Sequence, residues 1–227
     1  MDTTKDLRIL ITERAVEDLE DIIIHKKLPY QYPRDKVLET IKEIKANIMS
    51  IKFSFMQAKD LINNPAFNTI LANIGLIWSL VKPPERIITS SDTKMKLIIS
   101  KLKYDIRIIY GLKNRIALGD DNRPEYAIDI LGTKVLNVTK HHNADKLKIT
   151  VVTDRRQSYV IVTNIQEIKK DWIIAVAFLP PVILYGVVSD GMFCSGNLQD
   201  DLLIGKRVPL DKLHLSEISS KILSILR

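Results

Sequence analysis

Two short stretches carry most of the side chains able to do chemistry. The first is Thr139-Lys140-His141-His142-Asn143-Ala144-Asp145-Lys146-Leu147. The second, Ser189-Asp190-Gly191-Met192, lies about forty residues downstream. The first sets ammonium, imidazole, amide and carboxylate groups into one turn closed by an apolar anchor, and Lys134, Lys140, Lys146 and Lys148 bracket it. A nucleic-acid groove needs cations that displace counterions from phosphates. Beside them it needs amides and imidazoles that bond exposed base edges or 2′-hydroxyls. On this reading the four lysines meet phosphate, and His141, Asn143 and Ser189 supply hydrogen bonds. Met192 is either core or a stacking contact. Asp145 is expected to cap the turn through backbone N–H groups. Leu147 is expected in the core, and Gly191 supplies backbone freedom.

Other chemistries find little support. His141 and His142, adjacent on an extended segment, are expected to point apart, and Cys194 is the only cysteine, so no metal and no cofactor are assigned. No Gly-rich phosphate loop, Gly-x-Ser-x-Gly elbow or His-Glu-x-x-His motif occurs. The His-Ile-Gly-His and Lys-Met-Ser-Lys-Ser signatures of many aminoacyl-tRNA synthetases are missing too. Cys194 has no visible activating group. No catalytic residue is assigned, and the chain is not expected to be an enzyme.

The bulk properties agree with a polyanion partner. Net charge is +7 with pI ≈ 9.3, and both halves carry a basic excess. A 46% hydrophobic and 27% charged composition is that of a folded globular protein. A single cysteine fits a reducing cytoplasm, and the N-terminus has no signal-peptide pattern. The longest apolar run, from Trp172 to Val188, is broken by Pro180-Pro181. It reads as two buried strands rather than a membrane span, which needs about 20 apolar residues.

The elements that must position these groups change character along the chain. Residues 1–118 have helical periodicity. Leu7, Leu10, Ile11, Ala15, Leu19, Ile22 and Ile23 share a face until Pro29 and Pro33. Val37, Ile41, Ile44, Ile48, Ile51 and Phe55 form a heptad seam, internal to a bundle or shared with a second subunit. Asn63-Asn64-Pro65 starts a third helix, with Phe67, Ile70, Leu71, Ile74, Ile77, Trp78 and Val81 on one face. Ser90 or Ser91 is expected to cap a fourth, whose apolar face is Met95, Ile98, Ile99, Leu102, Ile106 and Ile109. Along it Lys94, Lys96, Lys101, Lys103, Arg107, Lys113 and Arg115 face one acid, Asp105. Lys96, Lys103 and Arg107 make one stripe, either a solvated face or a phosphate-tracking surface. Four helices with short loops predict a helical bundle.

Residues 119–126, rich in Gly, Asp, Asn and Pro, read as a linker. Residues 127–227 read as short strands. Gly132 to Lys140 has a bulge where Val135 and Val138 break alternation. Leu147, Ile149 and Val151 are expected to point inward from a second strand, and Tyr159 to Thr163 forms a third. Asn164 to Lys170 suits a short helix plugging a barrel end. Trp172 to Leu179 is a fully buried strand, followed by Val182 to Tyr185, Met192 to Ser195 and Gly205 to Val208. Ser216 caps a final helix. The predicted class is α + β multidomain: an N-terminal helical bundle, then a C-terminal OB-fold β-barrel.

The same residues carry a family resemblance. Leu131-Gly132-Thr133-Lys134-Val135, Lys140-His141-His142-Asn143-Ala144-Asp145-Lys146-Leu147 and Gly186-Val187-Val188-Ser189-Asp190-Gly191-Met192 resemble the EMAP-type tRNA-binding domain. The likeness covers roughly residues 128–208, and the whole layout is similar to archaeal RNA-binding proteins with a C-terminal EMAP-type domain. It implies tRNA or another structured RNA as partner; the helical half, which the likeness does not cover, is expected to dock on an aminoacyl-tRNA synthetase or to pair with a second copy of the chain. A CsaA-like chaperone or assembly module that has lost RNA binding is the alternative. Two departures bear on this choice. The proline usual after the first histidine is His142, and three usually basic positions are Pro180, Ile183 and Tyr185.

Overall fold

A computed structural model describes residues 1–26, 28–88 and 92–226. The chain divides into two compact units, one holding residues 1–128 and the other residues 129–225.

In the first unit the long helices are α1 (Leu7–Asp21), α2 (Arg34–Lys52), α4 (Ala66–Val81) and α6 (Thr93–Tyr110). Between them lie the short α3 (Ala58–Leu61), α5 (Glu85–Ile88) and α7 (Leu112–Ile116). α1 runs on into a π-helical turn, Ile22–Lys26. α1 packs on α2 and α6, and α2 packs on α4. The heptad residues Val37, Ile41, Ile44, Ile48 and Ile51 are all buried within the chain itself, so this seam is internal. Phe55, expected to end it, lies past the helix and is 63% exposed.

Helix starts follow side-chain oxygens. Asp6 Oδ1 accepts from Arg8 N at 2.9 Å, Asn64 Oδ1 from Ala66 N at 2.9 Å, and Asp92 Oδ1 from Lys94 N at 2.8 Å. The cap of α6 is thus Asp92; Ser90 and Ser91 lie outside the described residues. Residues 119–126, read as a linker, are strapped to the helical unit. Asp120 Oδ1 accepts from Ala58 N at 2.7 Å, and Asn122 Oδ1 from Leu7 N at 2.8 Å.

Polar groups also enter this core. Arg8 and Asp6 form a buried ion pair at 2.6 Å, and Arg8 Nη1 donates to the carbonyls of Gly119 and Arg115. Arg115 is buried as well and donates to the carbonyl of Ile108 and to Thr12 Oγ1. It is therefore not part of the cationic surface in which the sequence placed it. Because the pair is satisfied on several sides, its desolvation is offset.

The second unit is a curled antiparallel sheet. Its strands are β1 (Ile130–Lys140), β2 (Lys148–Thr153), β3 (Ser158–Thr163), β4 (Ile173–Ala177) and β7 (Met192–Phe193), in the order β3-β2-β1-β4-β7. A hairpin of β5 (Val182–Leu184) and β6 (Val187–Ser189) stands beside it. The result is an OB-like half-barrel around Val135, Val152, Ile161, Ile168, Ile174, Val176, Phe178 and Phe193. β1 has its bulge at Leu136, between the pairs Val135–Val152 and Asn137–Val151.

Several strand-level expectations are corrected. β2 turns Thr150 and Val152 inward, with Ile149 and Val151 half-buried on the other side. Thr150 tolerates this because its hydroxyl donates to the Ile161 carbonyl at 2.8 Å. Residues 164–171 form turns rather than a helix, although Ile168 still plugs the core. Gly205 to Val208 is no strand; Ile204 and Arg207 make isolated bridges to β1, around a turn at Gly205 with φ +77°. The last helix, α8 (Leu215–Ser224), begins ahead of Ser216, with Ile218 and Ile222 buried.

Candidate nucleic-acid interface

The turn after β1 is built by His141. The Asn143 N–H donates to its Nδ1 at 3.1 Å, which fixes that nitrogen as an acceptor. Nε2 then carries the proton and faces the Leu184 carbonyl at 3.2 Å. His141 N donates to the Leu147 carbonyl at 3.1 Å, and Leu147 N to the Ala144 carbonyl at 2.9 Å, closing the turn. His141 is 4% exposed, so the imidazole is a buried fastener. The strand ends at Lys140, so His142 lies in the turn rather than on an extended segment. Its ring stacks on His141 at 5.1 Å instead of pointing away.

Asn143 reaches across to the β5–β6 hairpin. Its Nδ2 donates to the Tyr185 carbonyl at 3.2 Å. The hairpin turns through Tyr185 and Gly186, with φ of +48° and +92°. Positive φ at both loop residues marks the mirror-image two-residue turn that matches strand twist. Glycine or asparagine is the usual occupant, and a tyrosine there is strained. Tyr185 is 65% exposed and meets His141 edge-to-face at 6.2 Å.

The second motif lies in the barrel seam. Ser189 is 1% exposed; its Oγ accepts from Val162 N at 3.1 Å and donates to the Gly191 carbonyl at 2.9 Å. Asp190 Oδ2 accepts from Val160 N at 2.9 Å, and Asp190 N donates to the Val160 carbonyl at 2.8 Å. These bonds satisfy the free edge of β3, which would otherwise be an open template. Ser189, assigned to RNA from its residue type, thus lies inside the fold. Gly191 serves close approach rather than an unusual φ: a Cβ there would sit 2.3 Å from the Ala177 carbonyl oxygen. Met192 is half-buried opposite Ala177.

The predicted cations differ in availability. Lys140 and Lys146 are exposed, and their ammonium groups hold no partner among the described residues. Lys134 is paired with Asp171 at 3.1 Å, and Lys148 Nζ donates to the Gln166 carbonyl. Asp145, expected to cap the turn, is exposed, and its carboxylate bonds nothing among the described residues. Lys96, Lys103 and Arg107 stand on α6 in the helical unit, Lys96 exposed and the other two half-buried. Asp105 turns into the core at 2% exposure, so it does not offset charge on that helix face. Cys194 is buried, and burial pushes its thiol up to about 12, leaving no thiolate at neutral pH.

The comparisons fit this division. Residues 1–119, more than half of the chain, match the family model described as "Alpha helical domain". The chain belongs to the alpha helical domain family. Residues 131–210 match the model described as "Putative tRNA binding domain". This alpha helical domain protein therefore carries a C-terminal EMAP-type tRNA-binding domain, in which both motifs fall. No curated protein matches the chain. No helix among the described residues is long and apolar enough to cross a membrane.

Proposed function

We propose that the protein is a non-catalytic, cytoplasmic binder of tRNA or another structured RNA, with the contact centred on the turn after β1. The observation that carries this reading is the pair of exposed lysines, Lys140 and Lys146, on a turn that His141 and Asn143 pin to the β5–β6 hairpin. A pinned turn presents cations with little ordering cost on binding. Lys134 and Lys148, held by neighbours, add field rather than direct contacts. Lys96, Lys103 and Arg107 give the helical unit a cationic stripe of its own on α6.

The same proposal makes the helical unit a docking element for an aminoacyl-tRNA synthetase or a second copy of the chain. Exposed Met49, Phe53 and Phe55 at and beyond the end of α2 support it. Joining two modest sites would raise avidity without new contacts. The alternative, a chaperone-like or assembly module, draws support from exposed Ile183 and Tyr185, where the resemblance leads one to expect basic residues, with Val182 exposed beside them. Titration with tRNA across salt separates the two: phosphate contacts weaken steeply with salt, apolar peptide contacts do not.

A further inference from the structure

We infer that the Tyr185 ring is a stacking platform for an unpaired base, so that this site takes single-stranded nucleotides in a folded RNA rather than a continuous duplex. The inference rests on the RNA-binding reading above and assigns that site its ligand class.

Four observations meet at Tyr185. Its residue is 65% exposed at the tip of the hairpin. It is held at φ +48°, a conformation that costs energy for an aromatic residue and that asparagine or glycine adopts readily. Its position is fixed, since Asn143 Nδ2 bonds its carbonyl, His141 bonds the preceding carbonyl, and the His141 ring buttresses it edge-to-face. The turn tied to this hairpin by those bonds carries exposed Lys140 and Lys146 against the single carboxylate of Asp145, and Val182 and Ile183 are exposed on the same hairpin. A rigid exposed aromatic next to lysines is the arrangement that holds single strands. The ring stacks on a base, and the ammonium groups follow the backbone. A duplex keeps its bases stacked on one another and offers such a ring nothing. The cations beside the patch favour RNA over a protein partner.

The test compares the full chain with its Tyr185→Phe, Tyr185→Ala, Tyr185→Asn and Lys140→Glu/Lys146→Glu variants. The probes are a 12-nucleotide mixed-sequence single-stranded RNA and a blunt duplex RNA, with molar mass followed by light scattering. The wild type should prefer the single strand. Tyr185→Ala and Tyr185→Asn should lower that affinity about 5- to 150-fold, the cost of one lost stacking contact. Tyr185→Phe should stay within about twofold, because the ring is kept. Tyr185→Asn suits the turn's backbone, so its loss of affinity cannot be ascribed to a collapsed hairpin. Unchanged single-strand affinity in Tyr185→Ala and Tyr185→Asn, with weakening in the lysine variant, overturns the stacking role and leaves the RNA-binding reading standing. A drop in molar mass with unchanged RNA affinity makes the hairpin a subunit contact and also overturns it. Absence of any RNA binding by the wild type removes both readings.

Discussion

Asn143 Nδ2 donates to the Tyr185 carbonyl at 3.2 Å, tying the turn after β1 to a hairpin 42 residues away. Through this bond and the His141–Leu184 contact, the first motif and the β5–β6 hairpin become one surface. Asn143→Asp replaces the donor with an acceptor facing a carbonyl. Its expected cost is about 1 kcal/mol, or roughly 2–4 °C in Tm. RNA affinity should fall further than that of Asn143→Gln, whose amide keeps a donor. Thermal melts alongside RNA titrations check both.

Ser189→Ala separates a seam residue from a ligand contact. It leaves the buried Val162 N–H without its acceptor, at a cost of about 1–3 kcal/mol. Denaturant unfolding should show that loss, while the folded protein binds RNA as the wild type does. A normal unfolding midpoint with weakened binding would return Ser189 to the surface.

Asp105 gives a pH signature. Burial pushes its carboxyl well above the usual range. Asp18 adds to the shift, while Lys101, Lys26 and Arg14 oppose it. Its Oδ2 has no hydrogen-bond partner among the described residues. The folded state therefore holds the proton to higher pH than the unfolded chain does. Its contribution is fullest below the unfolded value of 3.8 and is lost as pH rises towards the raised folded value. Asp105→Asn removes this dependence. The Tm of the variant minus that of the wild type should rise from pH 4 to pH 8, read by calorimetry; a difference flat with pH contradicts it.

Much of this was legible from one sequence, for physical reasons. The heptad seam could be read because five positions at helical spacing all needed burial, and they found it inside the chain. The bulge in β1 could be read because a three-residue step between valines cannot alternate. What stayed hidden depends on pairing at long range. Ile149 and Val151 look like the inward face of β2 until Thr150 finds the Ile161 carbonyl across the sheet. Ser189 looks like a contact until its hydroxyl meets β3. Arg115 and Asp105 look like surface charges because composition carries no direction. The inner face of α6 includes Ile99, Leu102, Asp105, Ile108 and Ile109, and leaves Ile98 and Ile106 half-buried.

The most direct measurement is the salt dependence of tRNA affinity for the wild type and for Lys140→Glu/Lys146→Glu. Two lost phosphate contacts should lower the magnitude of the slope of log K against log salt by at least about 1.4. Affinity should fall on the order of tenfold or more at low salt, with Tm unchanged because both side chains are exposed. Equal affinity and equal slope in the two proteins would show that the turn after β1 does not touch RNA.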